Sequence, residues 1–286
     1  MSKPDSAGPM AGKTVLITGA AKGIGAHTAR VLHARGATIA VADIDLDAAK
    51  EVTDRLGTRA VAHQVDIRDQ AALDNTVEKV REQFGGIDVV VANAGIAPPA
   101  HTVLTIDPAQ FERCVEIDLL GQWRTIRAAL PSVVERRGHV VAVSSIYAFF
   151  NGALNASYAV SKAGLEQLIR ALRVELAPHE ATAGVAYLGF VQTDLVAEAF
   201  AQPQVETFRR ALPAFLTRPM TVQKAANKLA AGIESRAARI TAPRWVAPAL
   251  ATRGVLGPLS DNLLRRRARA AVQQAEHERA NDNHGA

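Results

Sequence analysis

Tyr158 precedes Lys162 by four residues in NASYAVSKAGLEQLIRALRVELAP, which begins at Asn155 and carries a helical pattern. Positions four apart share one face of a helix, so phenol and ammonium stand side by side. A neighbouring positive charge favours phenolate and lowers the phenol below its ordinary pKa of about 10. Tyr158 would then serve as an acid or base near neutral pH. A second candidate stretch is TGAAKGIG, Thr18 to Gly25, which runs from an apolar segment into a helical one. There Gly19 permits a tight turn, Gly23 lets a backbone approach a pyrophosphate, and Gly25 allows close packing of helix on strand. The helix that follows offers free N–H groups and a positive dipole end to phosphate. This pattern predicts dinucleotide binding.

The elements that must carry these residues alternate along the chain. Apolar runs rich in Val and Ile cover 14–18, 38–43, 60–66, 88–95, 139–145, 184–189 and 239–243. Helical patterns lie between them: one ends at Gly36, one is LDAAKEVTDRLG, and one spans Gln70 to Phe84 before Gly85 and Gly86. Continuous apolar strands, each followed by a helix, predict a doubly wound, Rossmann-type α/β fold, a seven-stranded parallel sheet with helices on both faces. Ligands in such sheets sit beyond the carboxyl ends of the strands. Gly19 to Gly25, Asp43, Asp66, Asn93, Ser145 and Thr193 all fall there.

Asp43 ends the second strand, 18 residues after Gly25. Its carboxylate is suited to the adenosine ribose hydroxyls and repels a 2′-phosphate, which selects NAD over NADP. Lys22 opposes this as a base beside the glycines, or is a solvated loop lysine. Asp66 meets the adenine edge or caps the next helix.

With 286 residues, 48% hydrophobic and 21% charged, the chain has the composition of a globular protein. One cysteine, Cys114, excludes an internal disulfide and a cysteine-based zinc cluster; no metal site is expected. The start is polar, without the apolar core of a signal peptide, and no apolar run spans a membrane, so a cytoplasmic location is expected. Three stretches are expected: a disordered tail at 1–11, a catalytic domain at 12–248, and a basic extension at 249–286 that is partly helical, its last ten residues disordered. The net charge of +5 is concentrated from Arg236 onward, in a solvated basic segment with no nucleic-acid motif.

TGAAKGIG, NAG (Asn93, Ala94, Gly95), Ser144–Ser145 and YAVSK occur in one order, and 13 residues separate Ser145 from Tyr158. Together they resemble the short-chain dehydrogenase/reductase family over roughly Gly12 to Pro243. The resemblance implies an NAD-dependent oxidoreductase acting on CH–OH and C=O groups. It implies that Tyr158 transfers a proton to or from the substrate oxygen. Lys162 lowers the Tyr158 pKa and bonds the nicotinamide ribose, and Ser145 stabilises the same oxygen. It places the cofactor against Gly19, Lys22, Gly23, Ile24, Gly25, Asp43, Asp66, Ile67, Asn93, Ala94, Gly95, Val191 and Thr193, with Tyr158 and Lys162. Strand alternation turns Ser144 to the opposite face from Ser145. The family commonly forms tetramers built from dimers, and a homo-oligomer is implied here.

Two departures stand out. Asp118 occupies the place of an asparagine that supports a proton relay to the lysine, and its charge should raise the pKa of Lys162. Leu188 replaces a proline before Gly189. The family's substrate segment falls at Val191 to Met220, where Phe200, Phe208, Leu212, Phe215, Leu216 and Met220 join Ile146, Phe149, Phe150 and Leu154 as candidate walls, with half of them open to being core instead, as aromatics at helical spacing usually are. A fairly large apolar secondary alcohol or ketone, steroid-like or aromatic, is expected. In the extension, Trp245, Leu250, Val255, Leu256, Leu259, Leu263 and Leu264 beside arginines suit a membrane interface or a partner subunit. Two alternatives remain open: an NAD-binding regulator or scaffold without dehydrogenase activity, and an isomerase or dehydratase using NAD transiently.

Overall fold

The computed structural model describes residues 8–210 and 212–284, with side chains to His277. Seven strands form one sheet: β1 (Thr14–Thr18), β2 (Thr38–Asp43), β3 (Ala60–Gln64), β4 (Val89–Ala92), β5 (His139–Ser145), β6 (Thr182–Leu188) and β7 (Arg239–Ala242). Their order is β3-β2-β1-β4-β5-β6-β7, and every pairing is parallel. The order reverses between β1 and β4, so the crevice for a ligand opens above that pair. Three expected strands, 60–66, 88–95 and 239–243, are shorter at one or both ends, because their last residues turn into loops that face the crevice; β6 begins two residues earlier than read.

Alternation along each strand feeds two cores. Val15, Ile17, Val89, Val91 and Val141 pack with α1 (Gly23–Ala34), α2 (Leu46–Leu56) and α10 (Val222–Glu234). Leu16, Val90, Val140 and Ala142 pack on the other face with α3 (Gln70–Phe84), α5 (Gln122–Glu135) and α6 (Ala156–Glu175). Strands buried on both faces explain the unbroken apolar runs. α4 (Pro108–Val115) leads to α5 through a wide turn of the π type at Glu116–Gly121. Tight packing requires Gly121 there, since a Cβ would lie 2.6 Å from Ile67.

Three short helices follow β6: α7 (Asp194–Phe200), α8 (Pro203–Arg210) and α9 (Ala214–Thr217). The stretch read as one long connection is therefore a folded cap, tied at its ends by a bridge between Val191 and Met220.

Among the described residues, the stretches near both ends carry more structure than expected. Residues 8–11 are packed, not disordered: Met10 is buried and its N–H donates to Arg35 O at 3.0 Å. Residues 1–7 of that tail lie outside the described residues. After β7 come α11 (Val246–Ala251), α12 (Arg253–Arg267) and α13 (Arg269–His284), so helix replaces the disorder expected for the last ten residues as far as His284; 285–286 lie outside the description. The basic segment is not wholly solvated either. Arg253 grips both oxygens of Glu166 on α6 at 2.6 and 2.8 Å, and Arg236 donates to the carbonyls of Arg137, Gly138 and Glu180.

Candidate active site

The glycine loop after β1 is close-packed. Gly19 has φ +63° and Gly23 φ +57°, where a side chain is strained. A Cβ on Gly19 would fall 2.6 Å from Ala94 Cα, and one on Gly25 would fall 2.4 Å from Gly19 O. Asn93 fixes the loop from β4, donating through Nδ2 to Thr18 O and Gly19 O at 2.9 Å each. Asp43 closes the other side: its Oδ2 accepts from Ala21 N at 2.9 Å and its Oδ1 from Asp45 N at 3.1 Å. Lys22 is exposed and stands at the N-cap of α1 without a side-chain cap bond. A loop that admits no Cβ at Gly19 or Gly25, at a helix N-terminus and with a carboxylate at its rim, fits a dinucleotide.

Asp66 does not cap α3. Asp69 does, accepting from Ala72 N at 3.0 Å, while the Asp66 carboxylate is held by the Arg68 side chain and lies below the usual carboxylate range through that bond. Ile67 is buried beneath Gly121. Thr193 caps α7, its Oγ1 accepting from Val196 N at 3.3 Å, and Val191 is buried beside it.

The chemistry-bearing groups converge where β5 meets α6. Ser145 ends β5, and its Oγ accepts from Tyr147 N at 3.3 Å. Ser144 faces the other way, donating to Lys162 O at 3.1 Å. Lys162 Nζ lies 5.2 Å from the Tyr158 ring centroid and 3.1 Å from Asp118 Oδ2, with both charged side chains almost wholly buried. Asp118 projects from the wide turn, and its Oδ1 accepts from Ile96 N at 2.7 Å.

These charges act on one another in a dry space. Burial, the largest single influence, would lower the Lys162 pKa, but Asp118, Tyr158 and Cys114 together outweigh it and the pKa rises. Burial raises Asp118 more than Lys162 lowers it. Both directions favour keeping protons at the pair. We assign Lys162 as ammonium and Asp118 as carboxylate, since a neutral acid would leave the buried ammonium uncompensated. Tyr158 corrects the sequence expectation: its pKa is raised, not lowered. Burial is the main cause, Lys162 opposes it, and Asp118 pushes further upward. Lys162 lowers the phenol, but by less than burial raises it.

Ser145 and Tyr158 open onto a cleft under the cap. Of the expected walls, Ile146, Leu154, Phe200, Phe208 and Leu212 line it. Phe149, Phe150, Phe215, Leu216 and Met220 do not. Phe150 and Phe215 both pack edge-on with Trp245, Phe149 packs on Tyr187, and Met220 packs against the core. Tyr147, Phe190, Val205 and Arg209 line the cleft and were missed, because no local pattern marks residues gathered from three separate segments.

The model of a short chain dehydrogenase matches residues 13–204. The chain belongs to this family. Among short-chain dehydrogenases, a cis-4-hydroxycyclohexanecarboxylate dehydrogenase of Sinomonas cyclohexanicum is 34% identical over 78% of this chain and 91% of its own. A 3-oxoacyl-(acyl-carrier-protein) reductase of Escherichia coli is 30% identical over 64% of this chain and 75% of its own. Among solved structures, a 3-ketoacyl-(acyl-carrier-protein) reductase from Brucella melitensis complexed with NADH superposes with a TM-score of 0.71 at 27% identity, covering 81% of this chain and 97% of that one. As a short-chain dehydrogenase, this protein is an oxidoreductase of CH–OH and C=O groups that takes a nicotinamide cofactor. Among the described residues, no helix is long and apolar enough to cross a membrane.

Proposed function

We propose that this protein interconverts a fairly large, mainly apolar secondary alcohol and its ketone, with NAD(H) as cofactor. The observation that carries the reading is the convergence of Ser145 and Tyr158 on an apolar cleft, with Lys162 directly behind Tyr158. When bound, the nicotinamide accepts or supplies hydride at the substrate carbon. Tyr158 carries the proton at the substrate oxygen, and Ser145 steadies the charge that develops there. Lys162 favours release of the phenolic proton, against burial, and Asp118 holds Lys162 in place. Gly19, Gly23, Ile24 and Gly25 would receive the pyrophosphate, and Asp43 the adenosine ribose. Asp66 and Ile67 would flank the adenine, and Asn93 to Gly95 with Val191 and Thr193 would border the nicotinamide.

Asp43 supports NAD: its carboxylate is pinned by two backbone donors beside the loop, where a 2′-phosphate would meet like charge. The neighbouring structure with NADH agrees with this choice, although one relative, an L-rhamnose 1-dehydrogenase, is named for both NAD and NADP. The test is titration of the protein with NADH and NADPH by fluorescence, then turnover of apolar ketones. NADH should be preferred, and Asp43→Ser should move the ratio of kcat/KM values toward NADPH by about tenfold or more. A wild-type preference for NADPH would sink the NAD assignment. Retention of bound cofactor without net oxidation or reduction would favour the isomerase or dehydratase reading.

We read the assembly as a homo-oligomer, a dimer or tetramer, for which Trp123 and Val160 offer exposed apolar contact on the outer side of α5 and α6. A reducing, cytoplasmic setting suits the buried thiol of Cys114, which burial pushes up to about 11.

One further surface belongs to this reading. Val255, Leu256, Leu259 and Leu263 are 42 to 69% exposed at helical spacing on α12, whose opposite side is fixed by Arg253, Asp261 and buried Leu264. Exposed Arg265 and Arg266 lie at the same end as Leu263. An apolar stripe flanked by arginine suits an anionic lipid surface. Vesicles containing phosphatidylglycerol should sediment the protein, and Leu259→Asp with Leu263→Asp should release it. Absence of binding to anionic vesicles removes the idea.

A further inference from the structure

Arg209 is, among the described residues, the one charged side chain on the wall of the cleft. Its guanidinium carbon lies over the Phe200 ring, 3.7 Å from the centroid. Nη1 donates to Glu206 Oε2 at 2.9 Å, but Nε is buried without a hydrogen-bond partner. Glu206 is itself shared with Arg210, which donates from its own Nε at 3.0 Å. The three groups therefore carry one uncompensated positive charge. A buried donor left unpaired is costly, and a guanidinium fork matches a carboxylate in shape and charge.

A ladder of rings leads from this cation to the reacting centre. Phe200 packs on Phe190 at 5.0 Å, Phe190 on Tyr147 at 6.4 Å, and Tyr147 on Tyr158 at 5.7 Å between centroids. The rest of the cleft wall is mainly apolar and includes Ile146, Leu154, Val205, Phe208 and Leu212. A molecule filling it is polar at one end, apolar in the middle and anionic at the other end.

We propose that Arg209 binds a carboxylate on the substrate, so that the enzyme acts on hydroxy acids or oxo acids whose two functional groups are held apart by an apolar ring or chain. This rests on reading the cleft as the substrate site. Arg209 is a specificity residue: it fixes the far end of the molecule and leaves the oxygen that reacts beside Tyr158 and Ser145.

The test uses the full-length protein in complex with NAD. Calorimetry compares cyclohexanecarboxylate with its methyl ester and with cyclohexyl phosphate, for wild type, Arg209→Gln and Arg209→Lys. The acid should bind about 10- to 100-fold more tightly than the ester in wild type. Arg209→Gln should erase that difference while leaving ester binding unchanged, and Arg209→Lys should restore it in part. In turnover, Arg209→Gln should raise KM for 4-oxocyclohexanecarboxylate at least about tenfold more than KM for 4-methylcyclohexanone. Equal binding of acid and ester by wild type would overturn the proposal. So would equal weakening of both in Arg209→Gln, which would make Arg209 only a tie between α7 and α8. Tighter binding of the phosphate would overturn the carboxylate assignment. If no ketone or alcohol turns over with either cofactor, the oxidoreductase reading of the cleft fails separately, and calorimetry still decides the role of Arg209. If Arg209→Gln loses the near-ultraviolet dichroism of wild type, Arg209→Lys carries the comparison.

Discussion

Tyr158→Phe should reduce kcat/KM about 10³-fold or more in both directions, with cofactor affinity and melting temperature near those of wild type. General acid–base catalysis by a placed side chain contributes roughly 10²- to 10⁴-fold. Phenylalanine keeps the ring that packs edge-on against Tyr147 and lies beside Lys162, so little besides the hydroxyl is lost. The raised pKa sets the direction of the pH dependence. Reduction of a ketone needs the protonated phenol, which persists through neutral pH when the pKa is high. Oxidation of an alcohol needs the phenolate, so its rate should climb with pH well above neutrality. Tyr147 is the control, because it lines the same cleft. Burial pushes its phenol up to about 12, and Tyr147→Phe should cost far less than Tyr158→Phe. Steady-state rates against pH in both directions check each point. Loss of activity in Tyr147→Phe with activity retained in Tyr158→Phe would reverse the assignment.

Breaking the Lys162–Asp118 pair from either side should destabilise the fold by about 3–5 kcal/mol, because the group left behind is charged and dry. Lys162→Met strands the carboxylate, and Asp118→Leu strands the ammonium and frees the Ile96 N–H. Removing both charges together should cost much less than the two single changes added, since no buried charge then lacks a partner. Asp118→Asn is the milder change: it keeps an acceptor for Ile96 while removing a charge that raises both Lys162 and Tyr158. Its activity profile for alcohol oxidation should therefore shift to lower pH. Urea melts of the single and double variants measure the coupling. Single variants that each lose under about 1 kcal/mol would show that water reaches the pair.

The strands and the glycine loop were legible because each is written locally. Val15 to Ile17, Val89 to Val91 and Val140 to Val143 carry runs that only a sheet covered on both faces accommodates, and Gly19, Gly23 and Gly25 sit at fixed offsets from β1. The spacing of Tyr158 and Lys162 could be read in the same way, as could the opposed faces of Ser144 and Ser145. What sequence could not supply depended on distant parts of the chain. The sign of the Tyr158 shift follows from burial and from Asp118, which arrives on another helix. The widened turn at Glu116–Gly121 leaves no mark in a periodic pattern, because one extra residue per turn looks like an ordinary helix end. The cap walls could not be sorted from the core by sequence: an aromatic residue at helical spacing can face the cleft, as Phe200 does, or a neighbouring tryptophan, as Phe215 does. The end of the chain was misread for a similar reason, since the small residues Ala268, Ala271 and Ala275 pack without a strong apolar signal.

Those three alanines sit with Leu264 behind Phe208 and Leu154, and Gln274 accepts a hydrogen bond from Thr207 at 2.8 Å. The family match ends at residue 204, yet Val205, Phe208, Arg209 and Leu212 form the wall facing Tyr158, and α12 and α13 brace it from outside. Part of the cleft wall is thus encoded after the stretch that carries Ser145 and Tyr158, while Ile146, Leu154, Phe190 and Phe200 lie within it. An exchange of residues 205–277 between two such enzymes should shift substrate preference without touching the groups that move the proton.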